Sequence, residues 1–260
     1  MIRIWLAYLA QFLKVRLAYK GDFIAEIAAS LLGAGANLVF VFILFERVPS
    51  VGGYSRPEVL FVYGFSMIPL GLFSLVSMNL FEFGDRFVME GQFDRVMLRP
   101  LSAYLQVLFE SVRFSVLADV AVGIAVVAAA SRGLRLEFSL LDGAWFAVAA
   151  ASGAVIFASV FTAIASLSFF FEDRVGISPP VYNMIQFGRW PMPIFGGPVR
   201  FFLRFVVPFA FVAFYPSTRF LGRDEFRTLC YATPLVALAS AFVASLFWRA
   251  GVRRYSGTGS

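Results

Sequence analysis

The sequence predicts an all-α integral membrane protein, and three observations lead to this fold class. Hydrophobic residues make up 60% of the chain and charged residues only 15%, whereas soluble domains contain about 25% charged residues. Mean hydropathy is +0.81, and the apolar runs are long enough for helices that cross a hydrocarbon core of about 30 Å. Short polar breaks rich in arginine, glycine and proline separate these runs.

The chain is expected to form one domain, 1–260, with six membrane spans. They are expected at about Phe23–Phe45, Glu58–Phe81, Ala103–Ala130, Gly143–Phe171, Gly176–Phe195 and Thr228–Trp248. Residues 1–20 carry Arg3, Gln11 and Lys14 along one side of an apolar segment, which is typical of an interfacial helix; the alternative is a frayed start of the first span. Segment 196–227 is broken by prolines and arginines, so short re-entrant helices in one leaflet are expected.

The basic residues indicate the orientation, because six spans place both termini on one side. The side of the termini holds eleven of them: Arg3, Lys14, Arg16, Lys20, Arg86, Arg95, Arg99, Arg174, Arg249, Arg253 and Arg254. The short loops opposite hold four, although counting Arg189 and the five arginines of the broken segment on that side raises the number to ten. Because that segment is expected to be partly embedded, the short loops decide, and the termini, the 82–102 segment and the 249–260 tail are predicted to be cytoplasmic.

Several kinds of chemistry are excluded by composition. Histidine is absent and Cys230 is the only cysteine, so neither an intramolecular disulfide nor a cysteine/histidine metal site can form. No Gly-x-x-x-x-Gly-Lys loop is present to hold ATP. No set of side chains for nucleophilic catalysis can be assembled without histidine, and a single deep aspartate, Asp119, does not make an aspartyl protease. The net charge of +6 indicates orientation and contact with anionic lipid rather than nucleic acid.

The polar segment 82–102 is the most informative stretch, because it lies between two long apolar runs. Within it Phe93, Val96 and Met97 have helical spacing, while the polar residues take the other side. A glycine precedes this short amphipathic helix and Pro100 follows it. Periodicity alone leaves two interpretations open: a helix that docks on a cytosolic partner, or a solvated loop with a helix on the membrane surface.

Three ionisable residues fall inside the predicted third span: Glu110, Arg113 and Asp119. Charged groups at membrane depth are costly and are candidates for a functional site. Glu110 and Arg113 are three residues apart, so a simple pair on one helix face is the favoured explanation for these two. Asp119 lies near the middle of that span without a local partner, so it is a candidate for a transport pathway or a partner contact.

Longer stretches of the sequence resemble a known family. They include Gly91-Gln92-Phe93-Asp94-Arg95-Val96-Met97-Leu98-Arg99-Pro100-Leu101-Ser102, the stretch from Val207 to Pro216, and the stretch from Trp248 to Ser260. Matching residues also occur near the start of the chain and at the entry to the second span. In this order they resemble the permease subunits of bacterial type-2 ATP-binding-cassette (ABC) exporters, in particular a branch of short, six-span permeases.

This resemblance implies roles that the residues alone do not establish. The segment after span two would be a coupling helix that docks on a separate P-loop ATPase dimer, through Glu90, Gly91, Phe93, Asp94, Arg95, Leu98, Arg99 and Pro100. Residues 1–20 would be an elbow helix, and Pro208, Tyr215 and Pro216 would belong to the re-entrant segment near the outer face. The chain itself would bind no cofactor, since ATP and Mg²⁺ would be used by the ATPase.

The resemblance also implies a second permease subunit, similar or identical to this one, in the bacterial inner membrane. A phenylalanine-rich chain, with 33 such residues, suits an amphiphilic or lipid-like substrate, although phenylalanine that faces lipid explains the composition as well. Two other functions remain open at this point. A membrane-bound enzyme acting on lipid would be active without an ATPase, and a membrane scaffold would need no gating segment.

Overall fold

The computed structural model describes residues 20–171 and 177–255, and these residues form helices without a β-strand. The predicted interfacial helix, the charged break 172–174 and the last five residues lie outside the described part. The helices are α1 Lys20–Arg47, α2 Arg56–Ser77, α3 Gln92–Met97, α4 Ala103–Leu108, α5 Leu117–Leu134, α6 Leu140–Leu167, α7 Ser178–Met184, α8 Gly197–Phe201, α9 Phe214–Thr218, α10 Arg227–Tyr231 and α11 Thr233–Arg254.

Five of the described helical segments are long and apolar enough to cross a membrane. They are Lys20–Arg47, Arg56–Met89, Phe114–Leu134, Leu140–Leu167 and Asp224–Arg254. A further pair, Gly197–Val206 and Phe209–Thr218, passes the same test together but bends by 77° at the break between its halves. The prediction of an all-α integral membrane protein is therefore confirmed.

Helix α2 lies at the centre of the bundle. Fourteen of its 22 residues are buried, whereas only Ala34 and Val41 are buried among the 28 residues of α1. Ser55 and Glu58 form a capping box that satisfies free N–H groups at the start of α2. Ser139 and Asp142 do the same at the start of α6. Because α2 contacts α5, α6 and the short helices after residue 177, it connects the two ends of the molecule.

Helices α2 and α5 approach each other closely where Gly64 faces Gly123. A Cβ atom built on Gly64 would lie 2.9 Å from the backbone nitrogen of Val127, and one on Gly123 would lie 2.8 Å from the carbonyl oxygen of Gly64. Any larger residue would therefore push the two backbones apart. Small residues at such a crossing are typical of packing between membrane helices, where backbone contact replaces hydrophobic burial.

The predicted third span, Ala103–Ala130, is not continuous. The chain leaves the helix after α4 and resumes it at α5, which continues to Leu134. Asn79, at the end of the α2 segment, stabilises this break: its amide donates to the carbonyl of Leu108 at 3.2 Å, and its carbonyl oxygen accepts from the hydroxyl of Ser111 at 2.7 Å. The N–H of Arg113 donates to the carbonyl of Leu75 at 2.9 Å. The broken backbone is thus satisfied by protein, as membrane depth requires.

The prediction for span five is also corrected. Within the described part of Gly176–Phe195, the chain forms α7 and two short 3₁₀ turns instead of one continuous helix. Proline causes this irregularity, because it removes N–H donors and clashes with the preceding turn. Span six, predicted over Thr228–Trp248, lies within the apolar helical segment Asp224–Arg254, and its main helix, α11, runs from Thr233 to Arg254. The first residues of the predicted tail, 249–254, are therefore part of a helix.

Candidate functional site

The segment 82–102 folds as two short helices joined by a glycine turn. A π-helical turn, Gly84–Met89, continues the α2 segment, and α3 follows. Gly91 joins them with a φ of 69°, a left-handed conformation that favours glycine because it lacks a Cβ atom. The amphipathic helix predicted between Gly91 and Pro100 is therefore present.

Phe93 anchors α3 in what we call the aromatic cluster: Phe83, Phe93, Phe169, Trp248 and Tyr255. The ring of Phe93 is 0% exposed. Its centroid lies 5.0 Å from that of Phe169, 5.0 Å from Tyr255 and 6.1 Å from Trp248, all in edge-to-face arrangements. Its centroid also lies 5.7 Å from that of Phe83. Phe83 follows α2, Phe169 follows α6, and Trp248 lies in α11, so one side chain of α3 contacts the ends of three long segments. Phe93 therefore lies inside this chain.

The other residues of the predicted docking helix divide between an inner and an outer face. Val96 is buried beside Phe93, whereas Met97, expected on the same apolar side, is 50% exposed. Met97 is exposed because so short a helix contacts the core along a narrow strip of its surface, which only positions three residues apart, such as Phe93 and Val96, can reach. Leu98 is 85% exposed. The exposed residues on this outer face are Glu90, Arg95, Met97, Leu98, Arg99 and Pro100.

Polar contacts fix the orientation of α3. The hydroxyl of Tyr255 donates to Oδ1 of Asp94 at 2.9 Å. Burial, together with this bond to Asp94, raises the pKa of Tyr255 to about 12, so the hydroxyl keeps its proton and remains a donor at neutral pH. At the other end of α3, Nε2 of Gln106 donates to the carbonyls of Val96 and Leu101, each at 3.1 Å. Glu90 accepts a hydrogen bond from Gln92 at 3.0 Å.

Glu110 belongs to this region and not to a pair with Arg113. Its carboxylate accepts a hydrogen bond from Nη2 of Arg86 at 2.9 Å, and Nε of Arg86 donates to Gln92 at 3.1 Å. The predicted pairing of Glu110 with Arg113 is wrong because the helix is broken between them, so three-residue spacing no longer places them on one face. The ion pair instead ties the π-helical turn to the break after α4.

Arg113 and Asp119 line a second feature, a polar cavity of about 400 Å³ between α1, α2, α5 and the turn after α7. Asp119 lies in the first turn of α5 rather than at mid-span, and it accepts a hydrogen bond from Ser30 of α1. Arg189 lies on another wall, with its guanidinium 5.6 Å from the centroid of the Tyr63 ring. The Nε atom of Arg189 is buried without a hydrogen-bond partner among the described residues.

The opposite end of the molecule contains the predicted re-entrant residues. Pro208 lies at the break of the bent pair, and Tyr215 and Pro216 are buried in α9. The guanidinium of Arg204 lies 5.2 Å from the Tyr215 ring centroid. The segment therefore consists of short helices, and Phe209, Phe214 and Tyr215 within it belong to the core of the bundle.

An ion pair closes this end over the start of α2. Arg223 donates to Oε1 of Glu58 through Nη2 at 2.7 Å and through Nε at 3.2 Å, and Nη2 also donates to the carbonyl of Gly53 at 2.9 Å. Its guanidinium lies 4.5 Å from the centroid of the buried Tyr54 ring. The hydrogen bonds to Glu58 raise the pKa of Arg223 above its ordinary value.

Sequence reasoning missed several residues of these sites. The sequence did not indicate that Phe169 and Trp248 contact Phe93. Aromatic residues are common throughout the chain, and both residues lie far from Phe93 in sequence. Arg189 was counted only as a basic residue of an irregular segment. The partner of Asp119 was missed because Ser30 lies 89 residues away. Only the spacing of Phe93 and Val96 indicated in advance which side of α3 is buried.

The fold and these sites define a class: a multi-pass helical membrane protein with a two-faced helix at one end and charged groups within the bundle. Residues 31–259 match the family described as ABC-2 family transporter protein, and the chain belongs to this family. It is therefore the membrane component of an ABC transporter, a permease subunit that is not itself catalytic, and the family implies association with an ABC ATPase. No curated protein and no solved structure matches the chain.

Proposed function

We propose that the chain is one permease of an ATP-driven exporter and that α3 is its coupling helix. The observation that carries this proposal is the division of α3 into two faces. Phe93 and Val96 are buried in the chain, whereas Arg95, Leu98 and Arg99 are exposed beside one another. An exposed leucine flanked by arginines suits a groove on a soluble partner, because apolar anchors and arginine dominate such interfaces.

In this mechanism the aromatic cluster transmits movement of the ATPase to the membrane helices. The outer face of α3 follows the ATPase surface as its subunits close around ATP. Phe93 then carries the displacement to the ends of α2, α6 and α11, because its ring contacts residues of all three. Packed side chains transmit such displacements because interiors are dense and poorly compressible.

The polar cavity is the proposed part of the substrate pathway in this chain. Arg113, Asp119 and Arg189 line it together with Ser30, and ionisable groups at membrane depth commonly mark substrate pathways. The cavity lies beside α1, whose surface is mostly exposed, so a second permease subunit or lipid must cover that face. Charged and apolar walls together fit an amphiphilic substrate with a polar head.

The remaining parts of the proposal follow from the same assignment. The termini and α3 face the cytoplasm, the chain lies in a bacterial inner membrane with six crossings, and a second, similar permease completes the pathway. The bent segment containing Pro208, Tyr215 and Pro216 dips into the outer leaflet as re-entrant helices and closes the exit. A P-loop ATPase dimer uses ATP and Mg²⁺, and the direction of transport is outward.

The test compares two exposed leucines at opposite ends of the molecule. The tagged full-length chain is purified in mild detergent from the cells that produce it, and the amount of P-loop ATPase recovered with it is measured. We expect Leu98→Asp together with Arg95→Glu to lower recovery at least tenfold. Leu140→Asp is the matched control, because Leu140 is 96% exposed at the start of α6, away from α3, and recovery should be unchanged. Equal recovery in all three proteins would show that α3 is not the docking helix.

A further inference from the structure

A groove between α4, α6 and α11 is separate from the polar cavity and has no role in the proposed transport cycle. It encloses about 700 Å³. The side chains that line the groove are small, because alanine and serine occupy the facing positions of α6 and α11. The residues that form this floor are Ala158, Ser159, Ala241, Ala244 and Ser245. A smooth apolar channel of this kind accommodates a flexible hydrocarbon chain.

Two arginines stand at one end of the groove. Arg249 and Arg253 are four residues apart on α11, so they lie on the same face of the helix. Both are exposed, and neither makes an ion pair within the part of the chain that the structure describes. Ser102 lines the same end and adds a hydroxyl group. This end therefore presents two positive charges and hydrogen-bond donors to one small region.

The direction in which the groove opens follows from the exposed residues of α11. Phe242 is 64% exposed and Leu246 is 49% exposed, and such side chains on a membrane helix face lipid or another membrane helix. From Ala241 to Arg253 the groove follows α11 for about 18 Å at 1.5 Å per residue. That length is close to the thickness of one leaflet, about half of the 30 Å hydrocarbon core.

We infer that this groove binds an anionic phospholipid. One acyl chain lies along the alanine and serine floor, and the phosphate accepts charge-assisted hydrogen bonds from Arg249 and Arg253. Basic pockets between membrane helices commonly hold anionic head groups, and a zwitterionic lipid would satisfy the two arginines less well. The assignment rests on the groove itself and holds whether or not α3 docks on an ATPase.

The bound lipid would contact the aromatic cluster. Trp248 lines the groove, and its ring centroid lies 5.3 Å from that of Phe83 and 5.3 Å from that of Tyr104, another lining residue. An acyl chain in the groove therefore fixes the position of the Trp248 indole, which packs against Phe93. Lipid occupancy would stiffen the support of α3 from the side opposite its exposed face.

Native mass spectrometry of the full-length chain tests the inference. The protein in mild detergent is mixed with equal amounts of phosphatidylglycerol and phosphatidylcholine that carry the same acyl chains. We expect one phosphatidylglycerol to be retained about tenfold more tightly than phosphatidylcholine, which corresponds to about 1.4 kcal/mol. In Arg249→Gln with Arg253→Gln this preference should disappear.

Three further variants separate the possible occupants. Arg254→Gln removes a charge from the same helix end but not from the groove, because Arg254 lies over the ring of Phe170 at 5.6 Å; it should retain the preference. Ala158→Phe should fill the groove and release the lipid, and Ser245→Phe repeats this test from α11. Equal retention of both lipids, or equal loss of preference in Arg254→Gln, would overturn the inference. Loss of pairing between permease chains in Ala158→Phe without loss of lipid would show that the groove is a protein interface.

Discussion

The two ends of this permease are held together in different ways. At the end that carries α3, the aromatic cluster joins four elements through ring contacts with centroids 5.0–6.1 Å apart. At the other end, Arg223 binds Glu58 and the carbonyl of Gly53 through short, charged hydrogen bonds. The first kind of contact depends on area and shape, whereas the second depends on direction.

This difference indicates which end can move. Aromatic rings that pack edge to face retain most of their contact when one helix tilts slightly, because the interaction is spread over many atoms. A bond of 2.7 Å between Arg223 and Glu58 is lost after a displacement of about 1 Å, because hydrogen bonds weaken rapidly beyond about 3.2 Å. We therefore expect α3 to move as the ATPase works while the opposite end stays closed until the bond to Glu58 breaks.

The largest effect is expected for Phe93→Ala, which removes the central ring of the aromatic cluster. Replacing a fully buried phenylalanine by alanine lowers the free energy of unfolding by about 3–5 kcal/mol. Leu98→Ala on the outer face of the same helix should change it by less than about 0.5 kcal/mol. Chemical unfolding in mild detergent measures both. Similar values for the two variants would contradict the assignment of Phe93 as the anchor of α3.

A smaller loss is expected for Arg223→Gln at the opposite end. The change removes charge-assisted hydrogen bonds to Glu58, and bonds of this type contribute about 1.5–3 kcal/mol to stability. Glu58→Gln should cause a similar loss, and the double variant should lose less than the sum because the two residues share one interaction. Arg227→Gln, an exposed arginine four residues away, serves as the control. Strict additivity of the two changes would show that the ion pair does not hold this end closed.

The smallest effect is expected for Tyr255→Phe, which removes the hydrogen bond to Asp94 and about 1 kcal/mol of stability at neutral pH. The ordinary pKa of tyrosine is 10.0 and that of Tyr255 is raised to about 12. Because the raised pKa belongs to the folded state, the contribution of the hydroxyl is complete below pH 10 and is lost as pH rises towards 12. The difference between wild type and variant, measured by unfolding at pH 8 and pH 11, should shrink. A constant difference would exclude this bond.

Composition and run length were sufficient to predict the fold class and most long helices. Helices α1, α2 and α6 match the predicted spans because an apolar run of this length can only be satisfied in a membrane as a helix. The break after α4 could not be predicted, because residues 109–113 contain neither proline nor glycine. It exists because Asn79, from another helix, supplies the hydrogen bonds that the backbone loses there.

Only those features of the candidate site that depend on residues close together in sequence could be predicted. The spacing of Phe93 and Val96 indicated a buried side of α3, and Gly91 indicated a turn. The aromatic cluster, the bond between Ser30 and Asp119 and the polar cavity all depend on residues far apart in sequence. Hydropathy also treated 176–195 as one span, since an average over the segment does not register where its prolines interrupt the helix.

The small buried surface of α1 has a consequence for the lipid environment. At 1.5 Å per residue, its 28 residues extend about 42 Å, more than the 30 Å hydrocarbon core. Such a helix tilts to fit the bilayer, and its tilt increases as the bilayer becomes thinner. Because α1 forms one wall of the polar cavity and little else holds it, the thickness of the host membrane helps to set the width of that cavity.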